Sequence, residues 1–148
     1  MKKLVFFLLF AVLSSPLYSQ TTEELMDAAA FGDIPAIERI IKSDKVDVDE
    51  RVNYIGMTAL MIGAANGNID VVVKLKELGS DVNARNNTGM TAIMFAATKG
   101  DVDMVAKLVE LGADVNAEDD YGATALSLAK IHDQFKIVEK LKELGAVE

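Results

Sequence analysis

The sequence predicts an all-α solenoid of about four stacked helix-turn-helix units, on three observations. The stretch "MTALMIGAANGNID" at 57–70 returns as "MTAIMFAATKGDVD" at 90–103, one step of 33 residues later. Laid on itself at that step, the chain aligns Gly56, Gly89 and Gly122; Thr58, Thr91 and Thr124; Leu75, Leu108 and Leu141; and Gly79, Gly112 and Gly145. Inside each period a short, wholly apolar segment precedes an amphipathic one. A fixed period of this size marks a unit that leaves one face apolar until a neighbour covers it.

Taken in order, residues 1–19 read as a secretory leader: Lys2 and Lys3, an apolar run from Leu4 to Leu13, then Ser14, Ser15 and Pro16, with cleavage expected after Ser19. The run is too short to cross a bilayer, which takes roughly 20 apolar residues. Residues 20–148 then form one domain, with units at about 21–52, 53–85, 86–118 and 119–148.

The first unit is degenerate but traceable through Leu25, Ala28, Ala29, Gly32, Ile37 and Ile40. In the next, Thr58 is placed to cap a short helix through "ALMIGAAN", whose apolar circumference requires burial on all sides. Gly63, Ala64, Ala96 and Ala97 keep that helix slim. Gly67 or Gly100 ends it, and Asn68 or Asp101 is placed to cap the second helix, whose stripe is Val72, Leu75 and Leu78. Gly79, Gly112 and Gly145 stop the second helix, and "SDVNARNNTG" or "ADVNAEDDYG" turns the chain back. Asn66-Gly67 alone would signal a hairpin, but its counterpart Lys99-Gly100 is a helix ending. The last unit carries Lys130 in the column of Ala64 and Ala97, and Asp133 in the column of Gly67 and Gly100, as a C-terminal cap.

Through Gly56-Met57-Thr58-Ala59-Leu60, Ala64, Gly67, Asp70-Val71-Val72 and Leu78-Gly79-Ser80-Asp81-Val82-Asn83-Ala84, repeated as far as Leu111-Gly112-Ala113-Asp114-Val115-Asn116-Ala117, the sequence resembles ankyrin repeats. The resemblance covers nearly the whole chain after the leader. It implies stacked helical pairs joined by β-hairpin-like loops. The family's Thr-Pro-Leu-His signature departs here: Ala59, Ala92 and Ala125 stand for the proline, and Met61, Met94 and Ser127 for the histidine. Without the histidine a polar link between units is lost, so inter-unit stability is expected to rest more on apolar packing.

Composition narrows the function classes. Loss of Lys2 and Lys3 leaves 13 of 15 basic side chains against 23 acidic ones, a net charge of −10. Such a surface repels phosphate backbones, so nucleic acid is not an expected ligand. With no cysteine there is neither disulfide, thiol nucleophile, lipid-anchor cysteine nor thiolate metal site. Together these point to an exported bacterial protein of the periplasm or exterior, monomeric when free and off the membrane after cleavage. In a eukaryotic secreted protein the sequon Asn86-Asn87-Thr88 would read as a glycan acceptor.

Catalytic constellations are hard to find. The single histidine, His132, lies five residues from Ser127, a spacing that does not stack the two on one helical face. The clusters Asp47, Asp49, Glu50 and Glu118, Asp119, Asp120 lack calcium-loop spacing and read as solvated turns. No cofactor, metal or catalytic residue is expected.

What remains is surface. The resemblance implies a concave partner face made of hairpin tips and first-helix ends. Carried onto this chain, the tips are Tyr54, Ile55 and Met57; Asn87, Thr88 and Met90; and Asp120, Tyr121 and Ala123. The helix ends are Phe31; Ala65 and Asn66; Thr98 and Lys99; and Ile131 and His132. Tyr54, Ile55, Met57, Met90 and Tyr121 are large apolar residues of the kind enriched in binding patches. The expected function is a non-catalytic module that binds a protein through this face, an exported enzyme or envelope component being the kind of partner in view. The alternatives are a self-associating structural solenoid and a host-directed effector.

Overall fold

The computed structural model describes residues 17–43, 46–51 and 53–147. These form eight helices: α1 (Leu17–Phe31), α2 (Ile34–Ser43), α3 (Ala59–Ala65), α4 (Ile69–Glu77), α5 (Ala92–Lys99), α6 (Val102–Glu110), α7 (Ala125–Ile131) and α8 (Phe135–Glu143). Among the described residues there is no strand, only an isolated bridge between Glu118 and Thr124. Of the expected leader, residues 1–16 lie outside the described residues and Leu17–Ser19 open α1.

The odd-numbered helices α1, α3, α5 and α7 stack as one layer and the even-numbered helices as a second, each consecutive pair packing as a helical hairpin. This is the solenoid that the 33-residue register predicts. The first layer is packed on small side chains: every residue from Ala59 to Ala64 is buried, as are Ala92, Ile93, Met94, Ala96 and Ala97 of α5. A Cβ added at Gly63 would stand 2.9 Å from Val71 Cγ1, so the missing side chain is what lets α3 and α4 close on each other. In the second layer Leu75, Leu108 and Leu141 are fully buried, each such side chain contributing about 1.5–3 kcal/mol.

Helix starts follow the local chemistry with exceptions at Asn68 and at Thr91, whose buried hydroxyl makes no cap on α5 and has no hydrogen-bond partner among the described residues. Thr58 caps α3 by accepting from the Met61 N–H at 3.3 Å. Thr124 and Ser127 make a reciprocal capping box on α7. Asp101 caps α6, accepting from the Met104 N–H at 3.0 Å. Asn68 does not cap α4 as expected. Its amide has a donor that a carboxylate lacks, and it donates backwards to the carbonyls of Ala29 at 3.0 Å and Ala30 at 2.7 Å in the preceding unit.

The turn between the paired helices takes a left-handed residue, with φ of +78° at Gly67 and +80° at Gly100. Asp133 occupies the same place at φ +55°, where its Cβ is strained. Replacing Asp133 by Gly is therefore expected to stabilise the last unit by about 0.5–1 kcal/mol, the relief exceeding the extra freedom of the unfolded chain. A higher denaturant midpoint would register this, and a fall would show that the Asp133 side chain does more than fill the turn.

Beside the apolar packing between units there are polar links as well. A polar ladder runs along the loops. Asp49 accepts from the Ser80 hydroxyl at 2.5 Å and the Asp81 N–H at 3.0 Å. Asn83 accepts from the Asp114 N–H at 2.8 Å and donates to the Gly112 carbonyl at 3.0 Å. Asn116 repeats this one unit on, with the Val147 N–H at 2.9 Å and the Gly145 carbonyl at 3.3 Å. Asparagine, with a donor and an acceptor on one amide, bonds both an N–H and a carbonyl of the next unit. On the outer layer Lys74 bridges Glu77 at 3.0 Å and Glu38 of the preceding unit at 3.2 Å. Hydrogen bonds to Glu77 first, then Glu38, hold its ammonium above the ordinary lysine range.

Candidate functional site

Each tip is organised by one Asx residue at its base. Asn53 Oδ1 accepts from the Met57 N–H at 3.0 Å. Asn86 Oδ1 accepts from the Thr88 N–H and hydroxyl, both at 3.0 Å, and from the Met90 N–H at 2.9 Å. Asp119 Oδ1 accepts from the N–H groups of Tyr121 at 2.9 Å and Ala123 at 2.8 Å. A short polar side chain thus does locally what a strand ladder would do in a longer hairpin.

Neighbouring tips are also bonded to one another. The Asn87 N–H donates to the Ile55 carbonyl at 3.1 Å and its side-chain amide to the Tyr54 carbonyl at 3.1 Å. The Asp120 N–H donates to the Thr88 carbonyl at 3.0 Å. Arginines clasp the joints from outside: Arg51 donates to Asn87 Oδ1 at 2.7 Å, and Arg85 to the Glu118 carbonyl at 2.5 Å and Asp120 Oδ1 at 2.9 Å. Three tips therefore form one hydrogen-bonded row.

At the far end of the first helices, about 10 Å from the tips for a seven-residue helix, stands the second row. Residues that the neighbours do not fully bury fall at i, i+3 and i+4 on the helices: half-buried Phe95 and Thr98 and exposed Lys99 on α5, and half-buried Leu128 and exposed Ile131 and His132 on and just after α7. A shallow depression of about 440 Å³ lies between the turns of the second and third units, lined in part by Asn66, Gly67, Lys99 and Asp103.

A family model described as ankyrin repeats, three copies, matches residues 25–119 and again 60–147. The chain belongs to the ankyrin-repeat family. A comparison with curated proteins returned no match. Ankyrin repeats generally mediate protein–protein interaction and are typically non-catalytic, so the two rows are the surfaces to weigh in this ankyrin-repeat protein.

The expected site residues divide by exposure. Tyr54 is 94 % and Tyr121 84 % exposed, with Ile55 at the edge of exposure at 37 %. Asn87, Thr88 and Asp120 are exposed on the same row, as are Asn66, Lys99, Ile131 and His132 on the second. Thr98 is half-buried, and its hydroxyl donates to the Met94 carbonyl at 2.9 Å. Met57 cannot serve as a contact residue. It is buried, its side chain turned into the core beneath the tip, and Met90 is half-buried against that core. The turn that Asn53 and Asn86 impose on the backbone just before each methionine decides this, and residue type alone did not reveal it.

Sequence reasoning missed Phe95 and Leu128, the half-buried first members of these stripes, which pack against the core on one side. Their spacing from Lys99 and His132 carried the signal, but a first helix apolar all round hides which apolar residue is left outside.

The other sequence candidates resolve into turn chemistry. Asn86 is buried with its carbonyl oxygen holding three donors, so a glycan there does not fit the folded tip. Asp47 accepts from the Asp49 N–H at 2.9 Å, and Asp49 belongs to the ladder. Among the described residues no group of three or more His, Asp or Glu is arranged to hold a metal ion. Ser127 spends its hydroxyl on the α7 cap, donating to the Thr124 carbonyl and accepting from the Thr124 N–H, while His132 is exposed at the other end of that helix.

Proposed function

We propose that this is an exported, non-catalytic binding module that holds a protein partner on the face made by its tips and first-helix stripes. The observation that carries the reading is the exposure of Tyr54 and Tyr121 on a row of tips whose backbones are bonded to one another. An aromatic side chain left in water on a mobile loop loses much of its contact energy to ordering on binding; on a braced tip most of that cost is already met. The leader-like sequence before Gln20 supports export.

The test is capture from native extract of the source cells with the immobilised protein. Replacing Tyr54 and Tyr121 together by Ala is expected to weaken capture at least about tenfold, some 1.4 kcal/mol or more, with the helical circular dichroism unchanged. Undiminished capture would remove the assignment of the tips. Light scattering over a concentration series separates this reading from self-association, since a binding module stays monomeric throughout.

A further inference from the structure

The tips carry a second pattern that bears on the chemistry of the partner, and the argument rests on their being the partner face. Each of two successive loops lays a guanidinium across the next tip, Arg51 onto Asn87 and Arg85 onto Asp120 and the Glu118 carbonyl. One period after Arg85 the sign of the column reverses. The residue there is Glu118, exposed, and residues 117–129 contain no basic side chain. Beside it Tyr121 stands 84 % exposed, and the Asp120 carboxylate keeps 55 % of its side-chain surface in water although Arg85 holds one of its oxygens. Beyond the acceptors that Arg85 already holds, the last tip thus presents the exposed Glu118 carboxylate and an open aromatic face, and the column that supplies Arg85 to this tip supplies no further guanidinium.

We propose that this tip takes a basic segment of the protein partner. A partner arginine stacks on the Tyr121 ring and pairs with the Glu118 carboxylate, repeating between molecules the clasp that Arg51 and Arg85 make within one. A planar guanidinium suits both contacts at once, stacking on an aromatic face while its edge meets a carboxylate; a lysine ammonium supplies only a point charge. The strongly acidic balance of the chain favours the encounter with a basic segment.

The experiment uses the purified protein and short fluorescein-labelled peptides alternating Arg, Lys or Glu with Gly, followed by fluorescence anisotropy at low salt. The Arg peptide is expected to bind, the Lys peptide more weakly and the Glu peptide not at all. Glu118→Arg is expected to weaken the Arg peptide about tenfold and Tyr121→Ala about fivefold. Glu139→Arg, the same charge change on the outer layer, is expected to alter it by less than about twofold, because screening confines the effect of a remote exposed charge. No preference for the Arg peptide, or an equal loss with Glu139→Arg, would overturn the proposal. A natural partner lost on removing both tyrosines yet indifferent to Glu118→Arg would also overturn it, while leaving the tips as the partner face. Capture indifferent to the tyrosines would instead sink the reading beneath it.

Discussion

Ala97→Lys is expected to cost about 4 kcal/mol or more, a large share of the roughly 5–15 kcal/mol that is typical of a domain's whole stability. The last unit already carries this residue: Lys130 occupies the column of Ala64 and Ala97 and is exposed there, whereas Ala97 is wholly covered. The difference between the two sites is the unit stacked beyond. Between α5 and α7 a lysine has no room for its stem and no water for its ammonium, and the surrounding small residues offer no carboxylate to pair with it. Chemical denaturation should show the loss directly, either as a much lower midpoint or as two transitions in which the units on either side of the substitution melt separately. Lys130→Ala is the control and should move the midpoint by under about 1 kcal/mol. A small cost for Ala97→Lys would mean that the units do not shield each other at that column, and the solenoid would have to be redrawn.

Much of this architecture was legible because a repeat states each element several times. A single Asn66-Gly67 is ambiguous between a hairpin and a helix end; its alignment with Lys99-Gly100 is not, and the φ of +78° at Gly67 follows an intact helix. The apolar columns likewise announced which side chains meet. What the repeat could not state was where polar side chains reach across a unit boundary. Asn68 reads locally as a cap, and only the position of the carbonyls of Ala29 and Ala30 turns it into a cross-link. The ladder through Asp49, Asn83 and Asn116 was hidden for the same reason, since each bond joins residues about one period apart.

The candidate site was legible to a lesser degree, and the division is physical. The tip position of Tyr54 and Tyr121 follows from the alignment, and their exposure from the tight turns that Asn53 and Asp119 impose. Met57 shares the tip, but four residues after Asn53 its amide is drawn back to Asn53 Oδ1, which tucks the side chain under the turn. A one-residue change in direction separates a contact residue from a core residue. Composition cannot register it.

That coupling between tips gives the second large effect. Gly89→Ala is expected to cost about 3 kcal/mol. Gly89 has φ +79°, and a Cβ built on it would stand 2.4 Å from Arg85 Nη2, 2.5 Å from Asp120 Oδ1 and 2.7 Å from the Asp120 backbone nitrogen. The left-handed backbone alone costs an alanine about 1–2 kcal/mol. The rest arises because the Asp120 N–H donates to the Thr88 carbonyl, so the nitrogen cannot retreat without breaking the bond that joins the two tips. The same column supplies its own controls. Gly122 has nearly the same φ, +78°, but nothing lies within 4 Å of its added Cβ, so Gly122→Ala should cost only the backbone term of about 1–2 kcal/mol. At Gly56 the Cβ meets the side chains of Asn87 and Arg51, which can swing aside at the loss of their mutual hydrogen bond, placing Gly56→Ala between the two. The order of denaturant midpoints, with Gly122→Ala the highest and Gly89→Ala the lowest, checks the whole row, and equal midpoints would show that the tips do not brace one another. Because the brace also fixes Tyr121 relative to Tyr54, Gly89→Ala in protein that remains folded should weaken partner capture as well, through a residue that touches no partner.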